Sequence, residues 1–246
     1  GFVCLEDCVL DINTLQEFPH EAGYKFLTQL PYKWSDRKNG CQPILDFLLQ
    51  ANQGHSDRVQ LIRAGMKATL TRQGIRFQRF IEMWGAGGSG KGTILRLVAK
   101  LCGEDSIKST DLKNLETNRF ENSTLYGKLA LIIGDAEQYT GDVSNFKSIT
   151  GGDYLRNEEK GKQQRKPFQF DGMPWVGANG PITSNEYTSG LRRRRISLFF
   201  PNSIPLEDQR NLEKEFEPYI PGLLQWVMQM PDEEMAEYLH KTELKV

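Results

Sequence analysis

The sequence has few residues of the kinds that bind metals or form cross-links. Its 246 residues include three histidines and four cysteines, and Cys4, Cys8, Cys41 and Cys102 show no paired CxxC spacing. This spacing excludes a zinc site of paired cysteines, and four cysteines are too few for a disulfide scaffold of this length. We therefore interpret them as reduced thiols. The three histidines are far apart in the sequence, so no metal-ligand cluster is predicted from them.

Long apolar runs are also missing. No run approaches the roughly 20 apolar residues that a membrane-spanning helix needs. The first ten residues, GFVCLEDCVL, lack the basic leader of a signal peptide. We therefore expect no membrane partner and a cytoplasmic location. Repeats and low-complexity segments are absent, and the initial glycine leads us to expect a fragment of a longer chain.

Neither sign of charge dominates, because 31 Lys and Arg nearly balance 32 Asp and Glu. Their distribution is uneven: residues 147–195 hold ten basic and five acidic side chains, whereas residues 207–246 hold four and ten. A basic middle segment fits a surface that meets a polyanion. Two solvated faces of opposite sign explain the same pattern equally well. A hydrophobic content of 38% is typical of a globular protein.

Apolar spacing divides the chain into a helical first part and a second part rich in strands. Apolar residues three and four apart predict helices between residues 41 and 74, with Asp57 as the N-cap of the second one. A short strand pair is predicted near residues 2–12, and one or two helices after residue 214. Apolar runs that suit a largely parallel sheet covered on both faces occur at residues 79–84, 129–135, 174–179 and 196–200.

The second part opens with a candidate phosphate-binding loop. GAGGSGKGT lies between a predicted strand and a predicted helix, which is the context that distinguishes such loops from chance glycine-rich turns. Glycines let backbone N–H groups point at phosphates, and Lys91 can reach the terminal phosphates. The usual Ser or Thr after the Lys is replaced by Gly92, so that Thr93 supplies the hydroxyl for Mg²⁺. Nucleotide kinases of the adenylate kinase type also carry Gly-Lys-Gly-Thr.

Three polar residues at strand ends extend this site. LALIIGDAEQ delivers Asp135 and Glu137 to the edge of the sheet, where one carboxylate can hold Mg²⁺ and the other can polarise a water. The alternative is a strand that simply ends in an acidic turn at the surface, because its sequence pattern would be the same. Asn179 ends another strand and can orient the attacking water, although Asn-Gly pairs are also common turns.

Two basic segments follow. Lys160, Lys162, Arg165 and Lys166 crowd a polar stretch after Gly151 and Gly152, as a hairpin gripping a phosphate backbone requires; an exposed loop is the alternative. Four arginines, 192–195, stand directly before the last apolar run. Arginine stabilises charge on a transferring phosphoryl group, and a basic targeting patch is the alternative.

The order of these motifs resembles the superfamily-three helicases, in the branch of phage, plasmid and poxvirus primase-helicases. GAGGSGKGT, LALIIGDAEQ, FKSITGGD, WVGAN and LRRRRISLFF carry the resemblance, which extends over nearly the whole chain. It implies a ring, usually a hexamer, with an AAA+-like α/β core that moves single-stranded or forked DNA. It also implies a primase-polymerase domain in the full-length chain, and a bacterial host or a virus-infected cell as its location.

The resemblance implies three sets of site residues. Catalytic roles fall on Lys91, Asp135, Glu137, Asn179, and Arg193 or Arg194 acting in trans. ATP would be bound by Gly85, Gly87, Gly88, Ser89, Gly90, Lys91, Gly92 and Thr93, and Mg²⁺ by Thr93 and Asp135. DNA would contact Lys147, Lys160, Lys162, Arg165 and Lys166.

The resulting prediction is a P-loop AAA+-like α/β core with a central, mostly parallel sheet. It spans residues 78–205, between a mainly helical domain (residues 1–77) and a helical lid (residues 206–246). The predicted function is an ATP-dependent DNA helicase that acts as a ring in the replication of a mobile element, phage or virus. A ring ATPase that binds nucleic acid without unwinding it, and a nucleotide kinase, are the alternatives.

Overall fold

A computed structural model of the chain describes residues 1–134, 139–158, 160–161, 165–183, 189–205 and 212–240. Ten strands lie in these ranges: β1 (Phe2–Cys4), β2 (Val9–Asp11), β3 (Glu17–Phe18), β4 (Phe80–Gly85), β5 (Ile107–Thr110), β6 (Ala130–Ile133), β7 (Leu155–Asn157), β8 (Arg165–Phe168), β9 (Met173–Ala178) and β10 (Arg195–Phe200). The same ranges contain ten α-helices: α1 (Gln42–Ala51), α2 (Ser56–Leu70), α3 (Gly74–Phe77), α4 (Lys91–Cys102), α5 (Leu112–Thr117), α6 (Ser144–Gly151), α7 (Ser189–Arg194), α8 (Leu212–Phe216), α9 (Ile220–Met228) and α10 (Asp232–His240).

Five strands form a parallel sheet in the order β10-β4-β9-β6-β5. The central strands β4, β9 and β6 end at Gly85, Ala178 and Ile133, and parallel pairing places these three ends along one edge of the sheet. Ligands of open α/β sheets bind at this carboxyl edge. The predicted α/β class with a parallel central sheet is confirmed.

Helices cover both faces of this sheet, as predicted. Ile81 and Met83 of β4 belong to an apolar cluster that includes residues of α2, α4, α9 and α10. Phe80 belongs to a second cluster with residues of α5, α6 and α7, and its ring lies 4.9 Å from that of Phe146. Because β4 is buried on both faces, its sequence is almost continuously apolar.

The first part of the chain agrees with its predicted elements, with one correction. The predicted strand pair is present as β1 and β2, and β3 extends it to a three-stranded antiparallel sheet. The two predicted helices are α1 and α2. The prediction that Asp57 caps α2 is wrong, because the helix begins at Ser56 after His55 and no side chain caps it. Asp57 instead lies in the first turn, where its charge still suits the helix dipole.

The end of the chain packs against the first part. Arg63 of α2 donates from Nε to the carbonyl of Trp226 in α9 at 2.9 Å, and Lys67 pairs with Asp232 of α10. One apolar cluster therefore draws residues from all three predicted segments (1–77, 78–205 and 206–246). Their boundaries as separate domains stay a prediction. Within the described part of the chain, no helix is both long and apolar enough to cross a membrane.

Candidate functional site

The glycine-rich stretch forms a loop between the end of β4 and the start of α4. Lys91, the first residue of α4, is only 8% exposed because its side chain folds back into the loop. Its Nζ donates to the carbonyls of Gly85 at 2.9 Å and Ala86 at 2.6 Å, and to Oγ of Ser89 at 3.1 Å. The loop therefore surrounds an ammonium group at the N-terminus of a helix, an arrangement that attracts phosphate.

Three glycines of the loop, Gly85, Gly88 and Gly90, have positive φ angles that other residues adopt only with strain. Gly85 has φ of 132°, and a Cβ there would lie 2.2 Å from the carbonyl oxygen of Phe200. Gly90 has φ of 94°, in the left-handed region, directly before α4. Since glycine populates these regions without steric cost, the glycines of the motif are required by the backbone itself.

The end of β10 and the segment after it hydrogen-bond to the loop on one side. The backbone N–H of Ala86 donates to Phe200 at 2.9 Å, and that of Ile204 donates to the carbonyl of Gly88 at 2.9 Å. Oγ of Ser203 donates to the carbonyl of Gly87 at 2.6 Å. The bonds from Ile204 and Ser203 occupy the carbonyls of Gly88 and Gly87, which would otherwise repel a phosphate group. They were not predicted, because the sequence after β10 carries no motif.

The residues at the usual hydroxyl position are Gly92 and Thr93. Thr93 is partly exposed, and its Oγ1 accepts a hydrogen bond from Nη2 of Arg96 at 3.3 Å. Arg96 also pairs with Glu213 of α8. A threonine oxygen in the first turn of α4 fits a Mg²⁺ ligand, because Mg²⁺ prefers oxygen donors. Sequence analysis missed Arg96, although it lies one helical turn after Thr93.

The acidic and amide residues follow neighbouring strands. The structure describes β6 as far as Gly134, so Asp135 and Glu137 lie outside the described residues. Asn179 is exposed directly after β9, the strand between β4 and β6, and its side chain hydrogen-bonds to none of the described residues. In those same ranges no three His, Cys, Asp or Glu side chains are grouped as a metal site.

A buried ion pair lies beneath this edge. Glu82 of β4 is fully buried; its Oε1 accepts from the backbone N–H of Ile182 at 2.7 Å, and its Oε2 lies 3.1 Å from Nε of Arg195. The Arg195 contact is electrostatic, since the N–H does not point at the oxygen. Burial raises the pKa of Glu82, although Arg195 and the Ile182 N–H partly offset this. The pair connects β4, β10 and the loop after β9.

The four arginines have different surroundings. Arg192 and Arg193 are exposed on α7, whereas Arg194 is partly buried, donates to the carbonyl of Gly190 at 2.9 Å and lies against Gly151. Arg195 belongs to β10 opposite Phe80, the first residue of β4. All four therefore lie towards the amino edge of the sheet. Five residues of strand, about 16 Å, separate Phe80 from Gly85.

The second basic segment is a hairpin. Antiparallel pairing of β7 and β8 places Leu155 opposite Phe168 and Asn157 opposite Arg165. Leu155 and Asn157 are buried, whereas Arg156, between them, points to solvent. Tyr154, directly before β7, is 73% exposed. Sequence analysis missed both exposed residues, although alternation along a strand could have revealed Arg156.

The structure brings most of the predicted DNA contacts onto this hairpin. Lys160 is exposed at its turn, and Arg165 and Lys166 are exposed on β8. Lys147 lies instead on α6, the helix that leads into the hairpin, and Lys162 lies outside the described residues. Glu158, which could offset the charge of Lys160, has Arg119 as an ion-pair partner at 3.9 Å.

Comparisons with known proteins agree with the fold. The model of a protein family described as of unknown function (DUF5906) matches residues 83–195, less than half of the chain. Two apo structures of the A form of the NrS-1 C-terminal region match with TM-scores of 0.62 and 0.63 at 16% identity. They cover 91% of this chain and 52% and 51% of theirs. A third apo structure of that region has a TM-score of 0.60, at 16% identity, and covers 92% of this chain and 56% of its own. The chain thus spans about half the length of these structures and is similar to them in fold.

Proposed function

We propose that the chain is an ATP-driven motor that moves along DNA and unwinds it, and that it acts as a ring in the replication of a mobile element, phage or virus. The geometry of the phosphate loop carries this proposal. Gly85 and Gly90 have the backbone conformations that the loop requires, and Lys91 places its ammonium group inside it. The loop follows β4, whose neighbour is β9, and β6 is the next strand beyond β9; polar residues after these two strands would activate the attacking water.

Each part of the site has a role in hydrolysis. Lys91 and the first turn of α4 hold the β- and γ-phosphates. Asn179 orients the attacking water from the end of the neighbouring strand, and Glu137 accepts its proton. Thr93 and Asp135 would hold Mg²⁺, which, when bound, neutralises charge on the phosphates.

The positions of the arginines favour catalysis between subunits. The arginines of α7 lie towards the amino edge of the sheet, whereas the phosphate loop lies at the carboxyl edge of the same subunit. The arginine finger of such an ATPase must reach the γ-phosphate, so here it would act on the nucleotide of a neighbouring subunit. Of the two predicted fingers, Arg194 donates to the carbonyl of Gly190 and packs against Gly151, so the exposed Arg193 is the better candidate.

The hairpin of β7 and β8 binds the DNA. Arg156, Lys160, Arg165 and Lys166 are exposed on one small β-structure, with Tyr154 beside them. Basic side chains bind the phosphate backbone, and an exposed aromatic ring can stack on a base. Such binding does not depend on the base sequence of the DNA, as a translocating motor requires. It weakens as the salt concentration rises, because it rests on phosphate contacts.

A strand-displacement assay on forked DNA tests the proposal. ATP-dependent displacement by the wild type, absent in Lys91→Ala, is the expected result. The variant should keep the far-ultraviolet circular dichroism of the wild type. ATP hydrolysis without displacement would instead identify a ring ATPase that binds nucleic acid without unwinding it. Transfer of phosphate to a nucleoside monophosphate would identify a nucleotide kinase.

A further inference from the structure

Arg96 brings a second cation to the phosphate loop. It lies one turn after Thr93 on α4, and its Nη2 donates to Oγ1 of Thr93 at 3.3 Å. Long side chains of a helix lean towards its N-terminus, and here that direction leads to the loop. The guanidinium group therefore covers the first turn of α4, the same turn that begins with Lys91.

Gly92 leaves room for this guanidinium group. A Cβ at residue 92 would lie 3.2 Å from Nη1 of Arg96, closer than most real contacts of a Cβ. A serine or threonine, the usual residue there, would force the end of the Arg96 side chain to shift by a few tenths of an ångström. The unusual glycine of the motif and the position of Arg96 are therefore parts of one arrangement.

Glu213 holds Arg96 from the other side. Its carboxylate pairs with Nε of Arg96, and the two side chains are 46% and 54% exposed. Exposed ion pairs contribute little to stability. The negative charge of a phosphate chain can therefore compete with Glu213 for the arginine.

We infer that Arg96 binds the phosphate chain of the nucleotide, and that Gly92 provides the clearance it needs. This assignment rests on the proposed nucleotide site. Arginine suits the role because its planar, permanently charged group can donate two parallel hydrogen bonds to phosphate oxygens. Glu213 is then the resting partner of Arg96, which it would exchange for phosphate when nucleotide binds.

The test is the affinity for ATP carrying a fluorescent N-methylanthraniloyl group, measured by titration at fixed ionic strength. Arg96→Gln should bind it about tenfold more weakly than the wild type, the loss of one charge-assisted contact. Lys100→Gln removes the same charge one turn further along α4. It should stay within about twofold, as a surface charge does.

Glu213→Gln separates phosphate binding from a purely structural role of the ion pair. The substitution breaks the ion pair and leaves Arg96 in place. The Glu213→Gln protein should therefore bind the nucleotide as tightly as the wild type or more tightly. Weakening equal to that of Arg96→Gln would overturn the assignment, as would unchanged binding by Arg96→Gln. If the wild type itself binds no nucleotide, both the proposed nucleotide site and the role of Arg96 are rejected. Binding that is lost in Lys91→Ala but intact in Arg96→Gln rejects only the role of Arg96.

Discussion

Arg195 and Glu82 form an ion pair inside the molecule: Nε lies 3.1 Å from Oε2, and the carboxylate is fully buried. Glu82 stands three residues before Gly85, on the strand that leads into the phosphate loop. Arg195 follows directly after α7, the helix that carries the exposed Arg192 and Arg193. One side chain thus attaches the arginine segment to the strand of the nucleotide site. A run of four arginines therefore contains at least two different roles.

The first prediction concerns the stability that this pair provides. Glu82→Gln should lower the free energy of unfolding by about 3 kcal/mol, because it leaves Arg195 without its buried counter-charge. Urea unfolding at neutral pH measures the change. Glu213→Gln is the matched control, since its pair with Arg96 is exposed, and it should cost less than about 1 kcal/mol. Equal costs would contradict the structural role of Glu82.

The second prediction identifies the finger. Arg193→Ala should reduce ATP hydrolysis by roughly 10³-fold or more, because a trans arginine stabilises charge in the transition state, while nucleotide binding stays intact. Mixing it with Asp135→Ala subunits should restore part of the activity, since one of the two kinds of mixed interface combines the intact nucleotide site of an Arg193→Ala subunit with the intact arginine of an Asp135→Ala subunit. Arg192→Ala serves as the neighbouring control. Absence of rescue at every ratio, with both variants assembled, rejects action in trans.

The third prediction concerns the hairpin. Lys166→Gln and Arg156→Gln should each weaken binding to single-stranded DNA and lower the slope of log affinity against log salt by about 1, as the loss of one phosphate contact does. Fluorescence anisotropy over a range of salt concentrations gives this slope. Lys100→Gln, far along α4, should leave it unchanged. A hairpin variant with the wild-type slope would show that its side chain does not meet the backbone.

The fourth prediction concerns acid sensitivity. Glu121 is buried and lies 2.8 Å from Nζ of Lys108. Burial alone raises the pKa of Glu121, but Lys108 and neighbouring hydrogen bonds outweigh it and lower the pKa below its usual 4.5. The native state thus binds this proton less readily than the unfolded state. The resulting stability is present above the unfolded pKa and is lost as pH falls through the lowered one.

Glu121→Gln tests this relation. The difference in unfolding free energy between wild type and variant should be largest near pH 7. It should shrink steadily below about pH 4, where the carboxyl group of the wild type takes up its proton. Urea unfolding at several pH values measures the difference. A difference that grows towards low pH contradicts the direction of the shift.

The fifth prediction concerns the thiols. All four cysteines are free and buried. Burial raises the pKa of Cys8 to about 12, of Cys41 to about 11 and of Cys102 to about 12. Because the thiolate is the reactive form, native protein at pH 8 should react slowly with Ellman's reagent, whereas urea-unfolded protein should titrate four thiols. Rapid reaction of the native protein would contradict this burial.

The sequence predicted the elements whose signal is local. β4, the phosphate loop and α4 follow from apolar runs and glycines, and α4 ends at Cys102, directly before Gly103. β5 was missed because Ile107–Thr110 is a short, half-polar edge strand with no uniform apolar run. The cap of α2 was assigned to Asp57 by residue type alone, and the structure has the N-cap at His55, two residues earlier.

The rest of the site depends on contacts that no local pattern contains. Glu82 meets Arg195 only because β4 and β10 are neighbours, and a charged residue within an apolar strand does not reveal its partner. Arg96 of α4 pairs with Glu213 of α8, a helix that is distant in the sequence. The position of Arg96 over Gly92 therefore depends on tertiary packing. The predicted roles of Lys91, Thr93 and Asn179 remain predictions that only activity can test.

The most direct test of the proposed motor is the ATPase rate with and without single-stranded DNA, on protein whose mass in solution is read at the same time. We expect a ring-sized species whose ATP hydrolysis is stimulated by DNA, and no hydrolysis by Lys91→Ala. A monomer that hydrolyses ATP at the same rate with and without DNA would contradict the proposed motor.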